Sequence, residues 1–209
     1  MRIIEPSVEF IDIIDGNKII KKLERCGRIC YKSEDLITDE SSVKFINAII
    51  KSGHETILEH VSITVIMITN RGVTHELVRH RIASYSQESS RYCNYSKGKF
   101  GSELTFIKPC FWLEDSEEYK IWKSSMSSSE TYYLNLLSRG SSAQEAREVL
   151  PNSLKTEIVV TMNLREWRHF FKLRAIGTTG KPHPEMEKIA LITLKMFKEN
   201  IPIIFDDIK

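Results

Sequence analysis

Apolar positions in the first fifty residues recur at helical spacing. In "NKIIKKLERCGRICY" (17–31), Ile19, Ile20, Leu23, Cys26 and Cys30 recur at helical spacing with charges between them. This predicts an amphipathic helix with both cysteines on its buried stripe. Residues 39–52 repeat the pattern, with Thr38 as the expected N-cap and Gly53 as the stop. The rhythm changes at "VSITVIMIT" (61–69), a β-branched run too short for a helix, which reads as a buried strand. Thr74 is placed to cap a following helix, "HELVRHRI". Residues 92–114, with Gly98, Gly101 and Pro109, suit a long, partly extended connection.

Helical periodicity returns over 116–139 and ends at Gly140, with "SSMSSS" as a solvated face. Ser142 and Glu145 form a capping box for a helix that carries Arg147 and ends before Pro151. "TEIVVTM" (156–162) predicts another strand. Asn163 with Glu166 then matches the cap signature for the helix "LREWRHFFKLRA". Pro184 suits the first position of a final helix through Glu199. There is no internal repeat, heptad array or linker. Strands mixed with helices, without a βαβ rhythm, predict an α+β fold in a single domain, 1–209.

Composition narrows the function classes. Lys and Arg total 30 against 28 acidic residues, so a generic nucleic-acid polymer is a poor partner and any useful positive charge is local. "MRIIEPSVEF" has an acid and a proline where a signal peptide needs an apolar core. No run approaches the roughly 20 apolar residues that span a bilayer. The four cysteines form no C-x-x-C pair and are too few for a disulfide framework. A reduced, cytoplasmic protein with no membrane association is expected.

Two segments carry candidate chemistry. Trp167, Phe170, Phe171 and Arg174 fall at i, i+3, i+4 and i+7, so an arginine completes an aromatic stripe. Either that guanidinium is desolvated and requires an anion or several acceptors, or it snorkels to water at a helix end. Arg165, His169 and Lys172 share a second face, either ligand-facing or merely solvated. In "RHRIASYSQESSRY" (79–92), Arg79, His80 and Arg81 precede Ser84, Ser86, Ser89, Ser90 and Arg91. On a helix the first three would cover roughly half the circumference and address two ligands. The hydroxyls, loop amides and Arg91 are phosphate ligands of the usual type. The structural alternative ties the arginines to Glu76, Glu88 and helix carbonyls.

"GHETILEH" (53–60) resembles a zincin motif, but Leu58 stands where the second histidine is needed, and no Cys–His set has zinc spacing. No metal is expected. No nucleophile elbow, dinucleotide fingerprint or P-loop is present.

"RHRIASYS", followed by Ser89 and Arg91, resembles the signature of the flavin-dependent thymidylate synthases. "GHETILEH", "AREVLP" (146–151), "MNLREWRHFFKLR" (162–174) and "HPEME" (183–187) are similar to the family's other blocks, in order, over about residues 50–197. The resemblance implies an α+β domain with a mostly antiparallel sheet, assembled as a homotetramer with active sites between subunits. It implies transfer of a one-carbon unit from methylenetetrahydrofolate to dUMP and its reduction, with FAD as intermediary and NADPH as reductant. By the same resemblance, Thr56, Arg79, His80, Arg81, Gln87, Asn163, Arg165 and His169 contact FAD. Glu76, Leu77, Val78, Arg79, Gln87, Glu88, Ser89, Ser90, Arg91, Arg147 and Arg174 surround dUMP, and His54 is a folate candidate. Glu76 stands where some members have glutamine, Gln87 where some have glutamate, and His169 where some have asparagine.

The chemistry suits these residues. Uracil C5 is a poor nucleophile until electron density is pushed into the ring. Classical thymidylate synthases add a cysteine to C6, for which this sequence offers no obvious candidate. A fixed cation near N3 and the carbonyl oxygens is the electrostatic alternative, and Arg174 fits it as the catalytic residue. His80 and His169 would orient the flavin, relay a proton or simply donate a hydrogen bond. Two other classes stay open: a binder of single-stranded RNA or DNA that stacks bases on Tyr85, Tyr92 and Tyr95, and another FAD-dependent nucleotide enzyme with altered one-carbon chemistry.

Overall fold

A computed structural model describes residues 1–96, 101 and 103–209; Gly98, assigned above to the long connection, lies outside them. The chain forms two compact units, each gathered from separated segments. The first comprises Met1–Ser7, Met67–Arg79 and Ser86–Ile158; the second comprises Val8–Ile66, His80–Tyr85 and Val159–Lys209. Among the described residues no helix is long and apolar enough to cross a membrane.

The fold is α+β. A four-stranded sheet has the order β2 (Ser7–Phe10), β3 (Ser62–Asn70), β6 (Lys155–Asn163), β4 (Ala83–Gln87). β3 and β6 run antiparallel, since Leu164 N–H donates to Val61 C=O, the Thr64 and Thr161 hydroxyls meet at 3.0 Å, and Arg71 N–H donates to Leu154 C=O. β1 (Arg2–Ile4) and β5 (Thr105–Ile107) form a separate parallel pair with Ile3 opposite Phe106. Burial alternates along β3, with Ile63, Val65, Met67 and Thr69 inward, as the two-residue period of a strand requires.

The predicted helices form, with informative shifts. α1 (Gly16–Ile29) buries Gly16, Ile20, Leu23, Glu24 and Gly27, whereas Cys26 is half-buried and Cys30 exposed. The cysteine stripe is therefore a correction. α1 meets α2 (Ser41–Ser52) through Gly27, where an added Cβ would lie 2.6 Å from the Phe45 ring. That close approach turns Glu24 inward, where Arg28 and the Ser41 hydroxyl satisfy its carboxylate. Gly53 ends α2 at φ 73°, as expected, but the helix starts at Ser41, not beside Thr38.

α3 (Arg71–Leu77) begins earlier than expected because Asn70 accepts from Val73 N–H and caps it, while the Thr74 hydroxyl is spent on Arg71 C=O. Arg79, His80 and Arg81 consequently lie beyond the helix, in the turn entering β4, so the helical-circumference argument does not apply to them.

In the first unit, Tyr95, Phe106, Tyr119, Trp122, Met126 and Tyr133 form the aromatic core around α4 (Glu117–Ser138). Within "SSMSSS", Met126 and Ser129 are buried and the other serines are exposed. The Ser142–Glu145 capping box opens α5 (Ala143–Ala146), and Arg147 lies in a following 3₁₀ turn.

In the second unit, Asn163 caps α6 (Leu164–Phe171) as predicted. Trp167, Phe170, Phe171, Phe197 and Phe205 pack with ring centroids 4.9–5.7 Å apart, joining α6 to α7 (Pro184–Asn200). Arg168, 1% exposed, is held by both Asp207 oxygens at 2.7 Å and by Glu55 at 3.0 Å, and also donates to Ile204 C=O.

Bonding to Arg168 depresses the Asp207 pKa in the folded chain. The pair's contribution is therefore complete above the unfolded carboxylate value of about 3.9 and fades as pH falls toward the lower folded value. Asp207→Asn should cost about 2 kcal/mol at pH 7, because Asp207 is partly exposed and Glu55 remains as a partner. Urea midpoints should show that cost shrinking at pH 3.

Candidate active site

α6 is strongly two-faced. Its aromatic side is buried, and Arg165, Glu166 and His169 face the other way toward a cavity of about 480 Å³. Asn163 and Lys172 extend the same wall; Glu55, Glu59 and Ile82 complete the lining. The basic face noted in the sequence is thus a cavity wall. Its cations are already paired: Arg165 Nη1 lies 2.6 Å from Glu59 Oε1, and Lys172 Nζ lies 3.7 Å from Glu55 Oε1.

Arg174 does not continue the straight aromatic stripe. The helix passes into a π turn, Lys172–Ile176, which advances each residue by less than the α-helical angle, and Arg174 is half-buried within it. Its Nε donates to His80 Nε2 at 3.2 Å. His80 is 6% exposed, packs edge-on against Phe170 at 5.1 Å, and lies 6.0 Å from the His169 ring. Burial above all, then the charges of Arg174 and His169, push its pKa down to about 4, so the imidazole is neutral at pH 7. Glu166 Oε1 lies 3.4 Å from His80 Nδ1, and burial raises the Glu166 pKa against the opposing pull of His169. The Tyr85 hydroxyl donates to His80 C=O at 2.7 Å; burial and the Glu166 charge raise its pKa to about 12 and keep it a donor.

Ligand atoms of His80, Glu166 and His169 lie within 4.8 Å of one another, close enough to share a metal ion. The Arg174 guanidinium on His80 works against a dication there.

The other predicted positions fall into two groups. In the second unit, Arg81 is exposed in the turn before β4, and His54 and Thr56 are exposed around the 3₁₀ segment Glu55–His60, outside the cavity lining. In the first unit, Leu77 is buried, Glu76 half-buried, and Val78 and Arg79 exposed. Gln87 Nε2 donates to the Thr74 and Thr156 hydroxyls. The Glu88 carboxylate accepts from Tyr95 and Lys155, and its main-chain carbonyl accepts from Arg71 Nη1 at 3.4 Å. The Ser89 hydroxyl accepts from Arg91 N–H, and Arg91 Nε donates to Gln144. Ser90 and Arg147 line a second cavity of about 310 Å³, joined by Arg71 and His75.

Tyr95 is buried and bonded to Glu88, and the Tyr85 hydroxyl is engaged, which leaves Tyr92 exposed. Tyr95 therefore offers no face on which a base could stack. Sequence reasoning missed Glu55, Glu59 and Ile82, and read Glu166 only as a cap partner. The i, i+4 spacing of Glu55 and Glu59 in "GHETILEH" was the available signal.

Comparison with known proteins identifies the family. The profile of the family described as Thymidylate synthase complementing protein matches residues 13–203. The flavin-dependent thymidylate synthase of Pyrococcus furiosus is 42% identical over 149 residues, covering 71% of this chain and 60% of that protein. The chain therefore spans less than two thirds of that relative's length. The Geobacter sulfurreducens enzyme of the same name is 35% identical over 188 residues, covering 87% of this chain and 78% of its own. A UMP/dUMP methylase from Streptomyces cacaoi, crystallised with 5-Br dUMP, superposes with a TM-score of 0.78 at 22% identity, covering 99% of this chain and 96% of that one. That likeness establishes the fold. The profile and the relatives together place this chain in the thymidylate synthase complementing protein family, that of the flavin-dependent thymidylate synthases.

Proposed function

We propose that this protein is a flavin-dependent thymidylate synthase that converts dUMP to dTMP. In this reading methylenetetrahydrofolate donates the one-carbon unit, NADPH is the reductant and FAD the cofactor, in a cytoplasmic homotetramer with active sites between subunits. The names of its relatives and the ordered sequence blocks support the reaction class. The observation that carries the mechanism is Arg174, a permanent cation held at Nε by a buried, neutral histidine.

The second unit's cavity fits an anionic, aromatic cofactor. Arg165 and Lys172 suit a diphosphate, His169 and Asn163 offer polar edges, and Ile82 offers apolar surface. Both cations have carboxylate partners in place, so an anion binds there by exchange. FAD, once bound, supplies the electrons that convert the transferred one-carbon unit to a methyl group. The chain's own residues do the rest. Arg174 stabilises negative charge on the uracil ring, raising the nucleophilicity of C5. Ser89, Ser90, Arg91 and Arg147 hold the dUMP phosphate, and Arg71, which lines the same cavity as Ser90 and Arg147, adds a further cation. Neither cavity is lined by a cysteine, and Cys93 packs against the first unit's aromatic core, in keeping with activation that needs no thiolate.

Tritium release from [5-³H]dUMP, with methylenetetrahydrofolate, FAD and NADPH present, tests the reaction. Arg174→Ala should lower it by about 100-fold or more while the protein stays folded and yellow. Wild-type-like rates in that variant would remove the assigned role. Arg165→Ala should weaken FAD binding about tenfold in a fluorescence titration. Its ion pair with Glu59 is half exposed, so the ligand-free melting temperature should move by no more than about 2 °C.

A further inference from the structure

We infer that Glu166 is a positioning residue, which keeps the His80 proton on Nδ1 so that Nε2 always faces Arg174 as an acceptor. The catalytic consequence rests on the function proposed above; the proton's location does not.

The reasoning begins with Arg174. A guanidinium has donors only, so the His80 Nε2 that receives its Nε–H must present a lone pair. The imidazole is neutral at pH 7 and carries one proton, which therefore sits on Nδ1. Which ring nitrogen bears the proton is set by the partner the other one faces. Here Nδ1 faces Glu166 Oε1 at 3.4 Å. Phe170 is apolar, and Tyr85 bonds the His80 main-chain carbonyl, so neither selects between the ring nitrogens.

Glu166 is itself well placed to act. Its side chain is buried, and its main-chain N–H is fixed by the Asn163 cap at 2.8 Å. A carboxyl group offers an acceptor oxygen in either protonation state, so the raised Glu166 pKa does not disable it. Without that oxygen a buried Nδ1–H has no acceptor, a cost that opposes the hold of Arg174 on Nε2 and moves the proton there. It would then confront Arg174 Nε–H, donor against donor, and the guanidinium would turn away. The arrangement parallels the general use of a carboxylate to fix a histidine's tautomer, with an arginine as the group being aimed.

Long-range ¹H–¹⁵N correlation on the full chain with ¹⁵N-labelled histidine reads the tautomer directly, without substrate. At pH 7, wild type and Glu166→Gln should show neutral His80 protonated at Nδ1, since glutamine keeps the acceptor oxygen. Glu166→Leu should shift the ring to the Nε2–H form. In tritium release at saturating FAD, Glu166→Leu should lose about tenfold or more in kcat, while Glu166→Gln stays within about threefold of wild type. A wild-type His80 that is cationic or protonated at Nε2 overturns the inference even if Glu166→Leu fails to fold. An unchanged tautomer in folded Glu166→Leu also overturns it. The expected tautomers with no turnover in wild type would support the inference and strike only the proposed function.

Discussion

The second unit's site depends on how α6 is anchored. Trp167 is fully buried, donates its indole N–H to Ile63 C=O at 3.1 Å, and packs against Phe170, Phe171 and Phe197. An aromatic side chain with one satisfied donor fixes the helix's rotation as well as its position. Once that face is inward, the helical period leaves Arg165 and His169 no direction except the cavity. Apolar packing thus sets the aim of the polar groups that line the cavity.

Charge in this unit is arranged on the same helix but follows a different rule. Arg165, Arg168 and Lys172 each have a carboxylate within reach. Arg174 is instead held by a neutral imidazole, so its charge is oriented without a formal counter-charge from His80. Surface cations that exchange partners suit ligand capture.

Much of this was legible in the sequence where a local rule governs. The caps at Asn163 and Ser142 and the stop at Gly53 each depend on a few adjacent residues, and each appears as expected. Errors arose where a distant partner decides. Cys30 lost its inward place because Gly27 admits Phe45 and Glu24 is paired across to Ser41. Tyr95 was read as a surface stacker, yet Glu88 and Tyr133 enclose it. Glu55 and Glu59 escaped notice because their partners, Lys172 and Arg165, are more than a hundred residues away in the chain. The π turn at Lys172–Ile176 leaves no mark in the periodicity of the sequence, so the direction of Arg174 is visible only in the folded chain.

Glu55 belongs to two circuits at once. One side meets Arg168, which is pinned to Asp207 near the chain's last residues, and the other reaches Lys172 on the ligand-facing wall. Disturbing the tail would leave Arg168 drawing harder on that shared oxygen and would slacken its hold on Lys172. Tail and wall, 35 positions apart between Lys172 and Asp207, are thereby joined by a single carboxylate.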